Sequence, residues 1–567
     1  MASIQEALGE LIAPDGEFAI TVEEIAGRRV RTFVDRPRHL AEIAARASGH
    51  AGEFLVGPSS RLTFEGTFDM ARRLASRLRN DFGVAPGDRV AVVGANSPEW
   101  VVSYWAGILA EAIVVPLNAW WGPGELRVVL EDAAVGVVIT DERRRSPILG
   151  AGHPEDAVIT WLAAGLPEGV LRADAIGVEV DRRGEDEVAV LFYTSGTTGR
   201  PKGVALSHRN VIAGFLNAVA MTTAARRAAS AASGGAAPID TGESEGDTQI
   251  DLCVIPLFHA TANLAIMVPF AAAGHTLVFL APGRFDPEVA GELIERERIT
   301  RIGGVPTIVS RFLDSRVWER RDLSSVRRVS YGGAPAASHL PRRVAEAFPA
   351  VEGSIVQGYG LTETTAITTL NQGVDYARRP GSVGIAAPTV ELRIGDADGA
   401  PLPHGEEGEV MVRGSNVFAG YWNLPDQDPF TDGFFHTGDI GYLDGDGFLY
   451  ITDRAKDVIV RGGENVASAE VEAVLDAHPA VLESGVVGVP DADLGEAVKA
   501  FVVVQSPVPD AAELSEFAAD RLASYKVPTH WELRTEPLPR NPSGKVLKAR
   551  LRGTDSAVFT SAEDSAL

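Results

Sequence analysis

Between Tyr193 and Gly203 the chain reads YTSGTTGRPKG. Gly196 and Gly199 let the backbone fold closely around an anion, and Thr194, Ser195, Thr197 and Thr198 add hydroxyl donors to the N–H groups that would converge on phosphate oxygens. Arg200 and Lys202 supply positive charge. This is not a Walker A loop, because Lys202 lies between Pro201 and Gly203 and the following VALSH reads as a strand rather than a helix. Further along, Tyr359 is an aromatic ring flanked by Gly358 and Gly360, open enough to lie flat against a planar heterocycle. Asp439 follows a glycine in a tight turn, where a carboxylate accepts two hydrogen bonds from vicinal hydroxyls. The chemistry these types suit is the binding of a phosphorylated nucleoside.

The loop at 193–203 resembles the phosphate-binding signature of the adenylate-forming superfamily, which holds acyl-CoA synthetases, amino-acid adenylation domains and luciferases. Further segments match in the order of that family: PLFHA at 256–260, YGGAP at 331–335, QGYGLTE at 357–363, FFHTGD at 434–439, DRAKD at 453–457, GGEN at 462–465 and NPSGK at 541–545. The resemblance implies residue roles. Gly333, Ala334 and Pro335, with Gln357, Gly358, Tyr359 and Gly360, would surround adenine; Thr362 would contact the α-phosphate; Glu363 would hold Mg²⁺, a hard cation suited to carboxylate and phosphate oxygens. Asp439 would take the ribose hydroxyls, and Arg454 would reach the same nucleotide. Lys545 would stabilise the pentavalent transition state formed as a carboxylate attacks the α-phosphate, since a cation between two anions favours that state over the separated ground state. His259 would gate the carboxylate pocket, which Tyr331, Gly332 and Gly358 would border. Lys456 would be the hinge of a mobile small domain, whose Gly462 and Gly463 would line a path for pantetheine.

These residues need elements to hold them. From residue 88 the text alternates VAVVG, PEWVVSYWAGILAEA, IVVPL, ELRVVLEDAA and VGVVIT, a βαβαβ rhythm that predicts a parallel sheet with helices on its faces. The rhythm returns from PEVAGELIERER to GSIVQGYG. The expected fold is α/β: a large N-terminal body over 1–454 with parallel sheets, and a small, mobile α+β domain over 455–552. LDGDGFLYI at 443–451 reads as a hairpin turned by Asp and Gly. Residues 222–248 are small and polar and are expected to form an insertion without regular structure, like the flexible tail at 553–567. The family usually has a Pro between GGEN and the next helix; here the run is VASAEVE, and Ser468 is expected to cap that helix.

Composition sets the outer limits. The 52 basic and 77 acidic side chains give a net charge of −25, which argues against a nucleic-acid surface, since phosphate backbones call for clustered Lys and Arg. The single cysteine, Cys253, excludes an internal disulfide, and a reducing compartment, the cytoplasm, is expected. No basic cluster precedes an apolar run at the N-terminus, so no signal peptide is expected. Residues 252–283 carry no charged side chain, yet Pro256, Pro269, Pro282, Gly274 and two histidines divide them into strand, helix and strand, so an integral membrane protein is not expected. No G-x-S-x-G elbow exposes a serine for a hydrolase triad. The expected activity is ATP-dependent ligation of a carboxylic acid of the fatty-acid type to CoA through an acyl-adenylate. An enzyme that loads a carrier-protein phosphopantetheine is the alternative. No residue pattern specifies an oligomer.

Overall fold

The computed structural model describes residues 3–161, 165–166, 173–176, 184–195, 201–232, 248–333, 340–351, 354–454, 457–461, 464–491, 494–505, 508–540 and 546–553. The first alternating run builds a six-stranded sheet. Arg89–Val93 lies at its middle, parallel to Ile113–Leu117 on one side and Val135–Asp141 on the other. Val188–Ser195 joins parallel to Ile113–Leu117, and Pro201–Ser207 folds back antiparallel as the edge. The second run forms a nine-stranded sheet, parallel from Ile355–Tyr359 through Arg328–Gly332, Arg301–Gly304, Ile250–Leu252 and Thr276–Val278 to Glu53–Val56.

Helix Pro98–Leu109 explains the spacing of these layers. All twelve of its residues are buried, including Trp100, Tyr104 and Trp105, so it is apolar on every side and belongs between layers rather than on a surface. Ser97 caps it through its hydroxyl, and Pro98 stands at its first turn, where a missing N–H costs nothing. The uncharged stretch after Leu252 keeps the order strand, helix, strand, but its first strand, Ile250–Leu252, ends where LCVIPL begins; it pairs in parallel with Thr276–Val278 around the helical segment Ala260–Ala273. Among the described residues no helix is long and apolar enough to cross a membrane. Cys253 is buried there, and burial pushes its thiol well above the ordinary range.

Two expectations are corrected. Thr222 does not begin an irregular insertion: helix His208–Ala232 runs through it. Ala220, Ala224 and Ala228 recur at a spacing of four and are buried, so alanines that looked like a small, polar tract are a helix stripe. Residues 233–247 lie outside the described ones. Ser468 is also not the cap of its helix. It is the first helical residue, and the cap comes from Asp453, whose carboxylate accepts both the Ser468 N–H and its hydroxyl.

An antiparallel sheet of Val390–Gly395, Gly408–Gly414, Phe430–Thr431, Phe434–Leu443 and Leu449–Arg454 ends the large body. Its last hairpin is turned by Asp444, whose Oδ1 accepts the Asp446 and Phe448 N–H groups, with Gly447 at φ +80°. The small domain pairs Val481–Asp491 with Gly495–Val504, adds Ile459–Arg461, Glu464–Val466 and His530–Arg534, and packs helix Ser468–Leu475 on the sheet through Val471 and Leu475.

Candidate active site

The strands that bound residues 196–200 lie side by side. Thr194 pairs with Lys202 and Ser195 with Pro201 across antiparallel strands, so the backbone leaves and re-enters the sheet at one point. The Tyr193 hydroxyl donates to Asp132 Oδ2 at 2.5 Å, and the Lys202 ammonium donates to Gln427 Oε1 at 3.0 Å while standing 4.9 Å from the Tyr421 ring centre. Gly196, Thr197, Thr198 and Gly199 lie outside the described residues, as do Ala334, Pro335, Lys456, Gly462, Gly463 and Lys545.

Asp439 and Arg454 face each other across neighbouring strands. Arg454 Nε lies 3.0 Å from Asp439 Oδ1, and the Tyr359 hydroxyl donates to Oδ2 at 2.8 Å. Asp439 is 3% exposed, so these donors keep a buried charge satisfied. Burial and the Asp439 charge both raise the Tyr359 phenol, which fixes it as a donor. Gly438, at φ +72°, turns the strand so that its N–H reaches Glu409 Oε1 at 2.9 Å. Gly360 is required by contact: a Cβ there would stand 2.2 Å from the Ala366 carbonyl oxygen.

Thr362 and Glu363 lie in the tight turn Thr362–Thr364, followed by Thr365 at φ +56° and Ala366 at φ +69°. Left-handed backbone at a residue with a side chain costs roughly 1–2 kcal/mol, so two in succession mark a turn held by its surroundings. Glu363 Oε1 accepts the Tyr421 hydroxyl at 3.0 Å, and its carbonyl accepts the Phe418 N–H at 2.9 Å. Burial raises the Glu363 carboxyl above its ordinary value, opposed by Tyr421 and the Arg454 charge. A half-buried carboxylate oxygen is a hard donor that fits a hard divalent cation. Among the described residues no group of three or more His, Cys, Asp or Glu side chains forms a protein cage, so the remaining ligands of Mg²⁺ would be phosphate and water oxygens.

The acyl side is partly redrawn. In the parallel register Gly303 pairs with Ser330, and Gly332 with Gly358; strand alternation puts these small residues on one face. Tyr331, expected beside them, points to the opposite face. It is 4% exposed, belongs to the apolar cluster of Val329, Phe312 and Phe348, and shares a hydrogen bond with the Tyr376 hydroxyl. Gln357 has the same parity as Tyr331, and its buried Oε1 has no hydrogen-bond partner among the described residues. His259 begins the short helix Ala260–Ala262, its ring 4.5 Å from Phe258, which meets the half-exposed Trp120 edge-on at 5.1 Å. Asn96 positions this loop, accepting the Leu257 N–H at 2.7 Å and donating to the Ile255 carbonyl at 2.8 Å. An apolar cavity lined by Val254, Phe285, Ile302, Ile308 and Phe312 adjoins Gly303.

Sequence reasoning passed over the segment Ser415–Trp422. Tyr421 bonds to Glu363, Trp422 N–H donates to the Gly203 carbonyl at 2.8 Å, and Asn416 bonds to the turn after Glu363. Its one visible signal was a polar Gly-Ser-Asn run leading into Gly-Tyr-Trp.

Comparison with known proteins matches residues 42–422 to the family model described as AMP-binding enzyme, and residues 470–545 to the AMP-binding enzyme C-terminal domain. The chain is 37% identical over 516 residues to a feruloyl-CoA synthase of Amycolatopsis sp, covering 90% of this chain and 96% of the relative. It is 34% identical over 530 residues to a long-chain-fatty-acid–CoA ligase of Bacillus subtilis, covering 87% and 90%. Its fold superposes on ATP-bound MatB from Rhodopseudomonas palustris with a TM-score of 0.79 at 31% identity, covering 92% of this chain and 100% of that one.

Proposed function

The chain belongs to the AMP-binding enzyme family and to its adenylate-forming CoA ligases, and from that premise we propose that it joins a fatty acid to CoA in two half-reactions at the site above. In the first, a carboxylate oxygen attacks the α-phosphorus of ATP and pyrophosphate leaves, giving an acyl-adenylate. In the second, the CoA thiolate attacks the acyl carbon and AMP leaves as the thioester forms. A free carboxylate cannot acylate a thiol directly because its leaving group would be oxide.

In this reading adenine lies against Tyr359, the ribose hydroxyls meet Asp439, Arg454 reaches the nucleotide, and Thr362 contacts the α-phosphate. Lys202 and the hydroxyls of 194–198 hold the phosphates. Mg²⁺ on Glu363 would neutralise phosphate charge. Lys545 bridges carboxylate and α-phosphate, and the small domain then turns at Lys456 so that Gly462 and Gly463 admit pantetheine. The acid extends from His259 along the strip of Gly332, Gly358 and Gly303, whose missing side chains leave room for an aliphatic chain. That glycine strip is also flat enough for an aromatic acid, a second reading that the 37% identity to a feruloyl-CoA synthase favours. The buried, single Cys253 accords with a cytoplasmic site of action.

The observation that carries the proposal is the meeting of Tyr359, Asp439 and Arg454 within 3.0 Å, beside the Glu363 turn. The test is pyrophosphate release from ATP and Mg²⁺ over carboxylic acids of graded chain length and aromatic acids, with and without CoA. Turnover sustained only with CoA, with acyl-CoA formed from the aliphatic acids, is expected. A single-turnover burst indifferent to CoA would instead point to a carrier-protein acceptor.

A further inference from the structure

Two segments that would grip phosphate, the 193–203 hairpin and the 361–368 turn, are far apart in the chain yet tied through one buried side chain. Asn416 is 0% exposed. Its Nδ2 donates to the Thr364 carbonyl at 2.9 Å and the Ile367 carbonyl at 3.0 Å, on either side of the left-handed pair Thr365 and Ala366. Its backbone carbonyl accepts the Thr365 hydroxyl at 2.5 Å. The side-chain amide therefore spans the strained backbone from both sides, and the main chain of the same residue holds Thr365 between them. The orientation of the amide is fixed, because exchanging its oxygen and nitrogen would set an acceptor against two carbonyls.

Asn416 is held from the opposite direction by Asn210. That side chain donates to the Ser415 carbonyl at 2.8 Å and the Val417 carbonyl at 2.9 Å, the peptides flanking Asn416. Asn210 stands in the first turn of helix His208–Ala232, directly after the hairpin's second strand, where its Oδ1 accepts the Ser207 N–H at 2.9 Å. The line from hairpin to turn thus consists of backbone carbonyls and two buried amides.

We infer that Asn416 is a positioning residue for adenylation, which holds the Thr362–Ala366 turn in its left-handed form so that Glu363 is presented in register with the phosphate hairpin. The inference rests on the proposed roles of Thr362 and Glu363. It concerns no contact with substrate: Asn416 acts through the backbone of the turn.

The test uses the full-length protein. Asn416→Ala removes both donors. Its kcat for acid-dependent pyrophosphate release should fall at least tenfold while KM for the acid stays within twofold. Backbone amides of 361–368 should exchange with deuterium at least tenfold faster, with exchange in the small domain unchanged. Ala366→Gly in the Asn416→Ala background, which makes the left-handed backbone easier to hold, should restore at least threefold of the lost rate. A folded Asn416→Ala protein with wild-type kcat and wild-type exchange at 361–368 would overturn the inference, as would lost rate without any local change in exchange. If Asn416→Ala does not fold, Asn416→Ser serves, since it keeps a polar side chain at the position but is too short to span both carbonyls; the same two readouts should move in the same direction, and their constancy would overturn the inference equally. Glu363→Gln measured alongside separates the two readings. Full activity in Glu363→Gln would refute the proposed role of the turn, whereas loss there with none in Asn416→Ala refutes the positioning role alone.

Discussion

Asp439 is a buried carboxylate with a donor at each oxygen: the Tyr359 hydroxyl on one and Arg454 on the other. In the proposed binding mode a ribose would share these oxygens, so Tyr359 would orient the acceptor while its ring lies against adenine. Tyr359→Phe keeps the ring and deletes the donor. A hydrogen bond to a charged group contributes about 1.5–3 kcal/mol, so KM for ATP should rise about tenfold or more with KM for the acid unchanged, measured by initial-rate kinetics. An equal rise in both constants would remove Tyr359 from the nucleotide side. These residues were legible because each sits in a short run of unusual types. Asn416 and Tyr421 were not, because their partners are 52 and 58 positions away and nothing local marks either. Tyr331 was misplaced for a simpler reason: adjacent residues of a strand face opposite ways, and a motif does not state its parity.

At the scale of elements, helix Ser468–Leu475 of the small domain shows how a departure from the family pattern is absorbed. In a run where the resembled family pattern carries a proline, Ser468 supplies an N–H, and Asp453 at the end of the large body accepts it. The Lys548 ammonium then donates to the Ser468 hydroxyl at 2.6 Å and pairs with Glu472 at 2.8 Å. At the other end of this helix Asp476 is half-buried beside Glu472 and Glu483, and desolvation pushes its carboxyl up to about 7 from an ordinary 3.8. The folded form therefore binds this proton more tightly than the unfolded form. Its contribution to stability is full below pH 4 and is lost as pH rises toward and through 7. Asp476→Asn should raise the small-domain unfolding temperature at pH 8 and flatten its decline between pH 5 and 8. An identical decline in both proteins would clear Asp476 of that role. The helix at 208–232 was misread past Thr222 because a stripe of alanines is apolar enough to pack yet too small to stand out from its polar neighbours.

For the whole molecule, the alternation of strand and helix was legible, since hydrophobic period and breakers are local properties of the text. The order of strands was not: Glu53–Val56 and its hairpin partner Arg61–Thr63 join a sheet whose other members begin after residue 249, and no local pattern carries a pairing over that distance. The proposed two-step cycle makes a prediction at this scale. Lys545→Ala should abolish adenylate formation by two orders of magnitude or more while sparing thioester formation from supplied acyl-adenylate. Equal loss of both half-reactions would sink the idea that Lys545 serves one of them alone. The protein also lends itself to following that cycle optically. Its single native thiol, on Cys253, is buried and held well above the ordinary range, so maleimide dyes would find no competing target on the folded chain. Cysteines introduced at exposed Val289 in the large body and Leu482 in the small domain would then be the labelling sites, and energy transfer between two fluorophores there would report each swing of the small domain as it occurs.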